Sequence, residues 1–227
     1  KAKPGEVSLA HNGVLFLDEF PEFTPQVLDS LRQPLETGDC IIARANYRVT
    51  YPARIQLIAA MNPCRCGMAG EPGHTCARGP RCKTDYQARI SGPLMDRIDL
   101  RVEVPGVSPG DLIRSRPGEP SASVAVRVER ARLRQAQRYR ALEIDGVTIN
   151  AHCPTALIEN VADANDSAVA LLAEAADKMK FSARAYHRIL KVARTLADLD
   201  NQDQVDRIHI AESLSYRLAG EQLSMAA

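Results

Sequence analysis

Four apolar residues, Val14-Leu15-Phe16-Leu17, run without a break into two acids, Asp18-Glu19, and no other feature of the chain constrains its fold as strongly. Nothing alternates along the run, so it predicts a strand buried on both faces, as central strands of parallel α/β sheets are. The acids then emerge at the strand's carboxyl end, the edge of such sheets where ligands bind. Two readings follow. In one, the segment is a Walker B element, with Asp18 holding Mg²⁺ beside nucleotide phosphates and Glu19 orienting the attacking water. In the other, it is a core strand followed by a solvated acidic turn.

A second apolar run, Leu57-Ile58-Ala59-Ala60, leads into Asn62-Pro63 and predicts a second buried strand with Asn62 at its carboxyl end. Between the two, Cys40-Ile41-Ile42-Ala43 and Tyr47-Arg48-Val49-Thr50-Tyr51 flank Arg44-Ala45-Asn46, which predicts a hairpin with a basic tip. Thr24-Pro25 reads as the cap and first turn of a helix with Leu28 and Leu31 on one side, stopping near Pro34. The phosphate-cradling loop that a Walker B strand serves, Gly-x-x-x-x-Gly-Lys-Ser/Thr, matches no stretch of the chain. Only residues 1–12 precede Gly13, and the first residue is Lys1. The expectation is therefore a piece whose nucleotide-cradling half lies upstream, and which does not hydrolyse ATP by itself.

A stretch of 227 residues, 45% of them hydrophobic, suffices for one substantial core or two small ones. The residues between Pro105 and Pro120 are rich in proline and glycine and read as a linker over 107–120. This divides the chain into an α/β part, 1–106, and a helical part, 121–227. In the helical part, residues 123–142 carry six arginines against Glu129, and residues near 154–161 and 167–180 form shorter segments. Ser182 caps a helix with Tyr186, Ile189, Ala193 and Leu196 on its apolar face, and a last helix covers about 204–218. No apolar run is long enough to cross a membrane as a helix. A net charge of +1 gives no global attraction to nucleic acid, so any such contact is a local patch.

Cys64, Cys66, Cys76 and Cys82 lie close together in sequence, which points to a metal cluster in a reducing, cytoplasmic setting more than to a disulfide framework. Four thiolates suffice for tetrahedral structural zinc, and His74 is an alternative fourth ligand. The competing reading is reduced thiols packed without metal. Cys40 and Cys153 stand alone and read as buried thiols, and the isolated His11, His152, His187 and His209 read as packing or surface residues.

Residues 4–19, with Leu31-Arg32-Gln33-Pro34-Leu35-Glu36, Ala59-Ala60-Met61-Asn62-Pro63-Cys64, residues 91–100 and residues 182–190, resemble the magnesium chelatase-like AAA+ ATPases of bacteria, the competence-related ComM/YifB group. The order and spacing of these independent motifs make the resemblance specific. It covers nearly the whole chain and corresponds to the family's carboxyl-terminal half. It implies a partial AAA+ P-loop NTPase core, containing the later strands of a parallel sheet, followed by an α-helical lid. Asp18 and Glu19 then match the Mg²⁺-associated and water-polarising acids, and Asn62 matches sensor 1. Arg97 matches the arginine finger, whose permanent charge and rigid fork of donors suit a transferred phosphoryl group. The alternative for Arg97 is an ion pair with Asp96 or Asp99. Arg184 matches sensor 2, although Arg184 and Arg188, four apart, also fit a solvated stripe.

The resemblance further implies ATP and Mg²⁺ as cofactors and a homo-oligomeric ring, a hexamer, acting on DNA as a helicase or branch-migration factor in recombination or natural transformation. The hairpin sits where ring helicases carry their pre-sensor 1 hairpin, so Arg44 and Arg48 would meet phosphates and Tyr47 a base. Its alternative is an ordinary hairpin with solvated arginines. The arginine-rich helix is a second, weaker DNA candidate; its alternatives are a helix that bridges subunits or covers an acidic surface, or simply solvated charge. The cysteine loop departs from the family, whose relatives tend to show two Cys-x-Cys pairs. A different class of function, a metal-chelatase-type or remodelling chaperone acting on a protein partner, fits the same motifs.

Overall fold

A computed structural model describes residues 3–44, 47–67, 76, 79, 81–107, 110 and 117–218. The chain divides into two compact units, one of residues up to Ile98 and one from Asp99 onward. The fold is mixed α/β, with its described strands in the first unit.

The first unit opens with a short helix, α1 (Glu6–Leu9), and then strand β1 (Val14–Leu17). Strand β4 (Gln56–Ala59) pairs with β1 in parallel, Val14 opposite Gln56 and Leu17 opposite Ala59. The expected burial on both faces is not found. Leu15 and Leu17 face a core of Phe20, Leu28, Leu31, Ile90 and Leu94, whereas Val14 is 53% exposed, Phe16 59% and Ile58 43%. The physical reason is that only one layer of helices lies against these strands among the described residues, and successive side chains point to opposite faces.

Helix α2 (Pro25–Ser30) begins as expected, the Thr24 side chain accepting from the Val27 N–H at 3.4 Å and Leu28 and Leu31 turning inward. The helix stops at Ser30, ahead of Pro34 as expected, and Pro34 starts a further short helix, α3 (Pro34–Thr37), because its missing N–H costs nothing in a first turn. Gly38 closes α3 in the left-handed region at φ 74°, where a Cβ would stand 2.9 Å from Cγ of Arg54. Strands β2 (Asp39–Arg44) and β3 (Tyr47–Pro52) form the hairpin, with Arg44 paired to Tyr47. Arg44 is thus the last residue of a strand, and the connecting Ala45 and Asn46 lie outside the described residues. Helices α4 (Arg81–Gln87) and α5 (Gly92–Met95) complete the unit, α5 being tied to α2 by a hydrogen bond from Ser91 Oγ to Asp29 Oδ1 at 2.6 Å.

The second unit is helical. Its arginine-rich helix α6 (Ser121–Ala141) buries Ala131, Gln135 and Tyr139, all in its carboxyl-terminal half. Helices α7 (Ile158–Ala162), α8 (Asp166–Met179), α9 (Ala183–Leu199) and α10 (Arg207–Leu218) follow. Caps fix two starts: Asn165 accepts from Ala168 N–H at 3.0 Å, and Ser182 from Ala185 N–H at 3.2 Å. Helix α9 buries Ala185, Ile189, Leu190, Ala193, Arg194, Ala197 and Asp198, so the expected Ile189 and Ala193 lie in the core, while Tyr186 packs against it half-buried and Leu196 is half-buried.

Two charges lie wholly inside this core. Arg194 donates to the carbonyls of Ala162 (3.2 Å), Asp203 (2.5 Å) and Gln202 (2.6 Å) and pairs with Asp198 at 3.1 Å. Asp198 also accepts from Arg138 (3.0 Å) and from Asn150 Nδ2 (2.9 Å), and Asn150 Oδ1 accepts from Tyr139 OH (3.1 Å). Burial pushes the Arg194 guanidinium below its ordinary value, and the Asp198 carboxylate opposes that push. Arginine stays charged through such shifts.

Candidate functional site

Because β1 and β4 run parallel and in register, the residues that follow them emerge at one edge. Asp18 and Glu19 come off β1 and Asn62 off β4, and all three are exposed there. The turn after β1 is tightly specified. Asp18 Oδ1 accepts the Glu19 N–H at 2.8 Å, Glu19 takes a left-handed conformation at φ 49°, and buried Phe20 donates its N–H to the Ala60 carbonyl at 2.9 Å. A side chain with a Cβ costs about 1–2 kcal/mol in that conformation. The anchors on either side, Leu17 and Phe20, hold Glu19 in it. Two adjacent carboxylates beside a neutral amide supply hard oxygen donors and a water-orienting group, which suit Mg²⁺ and a phosphate ester.

Arg97 lies elsewhere in the same unit. Its guanidinium donates to the Pro93 carbonyl at 2.6 Å and pairs with Glu36, a residue outside the sequence-derived site and distant in sequence. Asp99 pairs with Arg188, so that arginine is not part of a freely solvated stripe. Arg184 sits exposed in the first turn of α9. Arg48 is exposed on β3, and Arg44 and Tyr47 are joined through the hairpin ladder. On α6, Arg127 pairs with Glu119, Arg134 with Asp203 and Arg138 with Asp198, while Arg130, Arg132 and Arg140 are exposed.

The four cysteines converge. The Sγ atoms of Cys64, Cys66, Cys76 and Cys82 all lie within 4.8 Å of one another, with Cys66 3.1 Å from both Cys64 and Cys76, and none is in a disulfide. Zn–S bonds of about 2.3 Å in a tetrahedron would separate the sulfurs by roughly 3.8 Å, close to this spacing. Two like turns aim the thiols. Gly67 N–H bonds to the Cys64 carbonyl (3.0 Å) and Gly79 N–H to the Cys76 carbonyl (2.9 Å), each glycine at a φ near +78° that other residues resist. The repeated Cys-x-x-Gly spacing was the available signal for these turns. Cys82 enters from the first turn of α4, and His74 lies outside the described residues. Of the lone thiols, Cys153 is buried as expected, whereas Cys40 is only half-buried because its strand belongs to the hairpin. His209 packs in the core, accepting from the Asp206 N–H at 2.9 Å.

The sequence matches two consecutive family descriptions: magnesium chelatase, subunit ChlI, over residues 1–112, and its C-terminal region over residues 118–217. It is 48% identical to the competence protein ComM of Haemophilus influenzae across 95% of this chain and 41% of that protein. It is 43% identical to YifB of Escherichia coli across 94% of this chain and again 41% of the relative. The chain thus spans about two fifths of the length of these curated relatives. A shorter likeness, 32% identity across 42% of this chain and 10% of the relative, links it to the DNA replication licensing factor Mcm6 of Drosophila melanogaster. Among the described residues, no helix is long and apolar enough to cross a membrane.

Proposed function

The chain belongs to the magnesium chelatase ChlI family, and on that premise we propose that it supplies the Walker B, sensor and lid parts of an ATP-hydrolysing AAA+ ring motor acting on DNA. Residues 1–106 are the core part, 107–120 the linker and 121–227 the lid. The observation that carries this reading is the parallel pairing of β1 with β4, which delivers Asp18, Glu19 and Asn62 to one sheet edge. ATP with Mg²⁺ supplies the phosphoryl group and its charge neutralisation when bound. Asp18 would hold the metal, Glu19 would orient the water by accepting its hydrogen bond, and Asn62 would position it without adding charge. Arg97 of one subunit serves the phosphates of its neighbour in a hexameric ring, and Arg184 acts from the lid. Cys64, Cys66, Cys76 and Cys82 would hold a structural zinc ion, which would tie the ends of their segment together. Arg44, Tyr47 and Arg48 of the hairpin meet the nucleic acid in a cytoplasmic protein related to a competence factor.

A second reading, a remodelling ring acting on a protein partner, rests on the chelatase membership itself. One experiment separates the two: ATP hydrolysis by the full-length protein with and without branched DNA. DNA should raise turnover, Glu19→Gln should slow hydrolysis while ATP still binds, and Arg44→Ala with Arg48→Ala should remove the DNA-dependent part. Turnover indifferent to DNA but raised by a protein partner would favour the second reading.

A further inference from the structure

Glu36 has no place in the site just proposed, yet the fold brings it to Arg97. We infer that Glu36 is the positioning residue for Arg97, holding its guanidinium ready to act; this rests on Arg97 being the finger of the proposed function. Arg97 is gripped from two directions. One terminal nitrogen donates to the Pro93 carbonyl of the preceding α5, and the other pairs with the Glu36 carboxylate on α3, across 61 residues of sequence. The Arg97 side chain is only 9% exposed, and Glu36 is 41% exposed.

Both residues line an open cavity of about 680 Å³, with Glu6, Ser8, Arg32 and Ile41 on its wall. A guanidinium has five N–H donors in a rigid fork, so binding two of them fixes its plane. The alternative to such a grip is a long flexible stem that must lose its rotamer freedom as charge develops on the phosphoryl group. A group oriented beforehand avoids that loss at the transition state.

Glu36 is itself well anchored. Its N–H donates to the Gln33 carbonyl at 3.0 Å, buried Pro34 starts its helix and left-handed Gly38 ends it. The backbone that carries the carboxylate is therefore fixed beside Arg97.

The test is steady-state ATP hydrolysis by the full-length protein. Glu36→Gln keeps the size of the side chain and removes its charge, so kcat should fall roughly 10- to 100-fold while KM for ATP and the thermal midpoint stay put. Glu36→Asp keeps the charge with a shorter reach, and its kcat should lie between wild type and Glu36→Gln. In an Arg97→Ala background, Glu36→Gln should make no further difference. An unchanged kcat in Glu36→Gln would overturn the inference, and so would an equal loss in the Arg97→Ala background. A rise in kcat would also overturn it, making Glu36 a restraint. If Arg97→Ala itself turns over like wild type, the finger reading fails and takes this inference with it. If Arg97→Ala is impaired and Glu36→Gln is not, the finger reading stands and the positioning role alone falls.

Discussion

In the helices after Asp99 even charge is buried and paired, Arg194 and Asp198 having no exposed side-chain surface. In the sheet before it, a side chain as large as Phe16 stands 59% exposed. The helical unit closes its core with its own residues, down to an ionic cluster whose carbonyl and carboxylate acceptors all come from the same unit. The α/β unit packs one side of β1 and β4 and leaves Val14, Phe16 and Ile58 bare on the other. The difference teaches where each region draws its stability: the helices from interior pairing and packing, the sheet from a single apolar face.

The largest effect should come from breaking the buried pair. Asp198→Ala strands Arg194 inside the core without its counter-charge and should cost about 3–5 kcal/mol in urea unfolding. A cost near that of an ordinary surface change would show that the helical unit does not depend on this cluster. Next in size is the cysteine cluster, which should bind about one zinc ion per chain when measured by elemental analysis. Chelation should then expose the loop around Cys76 to protease while leaving the urea transition of the helices where it was. Cys82→Ser should lose the metal, and a preparation that keeps it would point to another fourth ligand. The smallest effect sharpens the contrast from the sheet side. Phe16→Ser should shift stability by no more than about 0.5 kcal/mol, as exposed positions do. A loss comparable to that of Asp198→Ala would mean that the bare face is covered in solution.

The positions of both parallel strands, the start of α2 and the cap at Ser182 were legible in the sequence, because apolar runs and cap residues act locally. The exposure of Val14 and Phe16 was not. An unbroken apolar run carries no period, so it cannot reveal that one face lies open. Arg194 was missed for the converse reason: a charged residue inside an apolar stripe reads as surface, and only its meeting with three carbonyls makes it a core residue. Glu36 on α3 and Arg97, just beyond α5, meet across 61 residues of sequence, and no spacing rule joins them. The Cys-x-x-Gly turns were readable in principle, since each needs a glycine at a left-handed position.

The cysteine segment leaves the sheet at Pro63, directly after Asn62, and the chain comes back through α4, where Gln87 Nε2 donates to the Pro63 carbonyl at 3.2 Å. Exit and return are thereby fastened together beside the strand end. For any loop between fixed ends, doubling its length adds only about 0.6 kcal/mol of closure entropy. The cost is borne inside the loop, and the strand that carries Asn62 is spared it. A change in the length of this segment would therefore leave in place the edge where Asp18, Glu19 and Asn62 emerge.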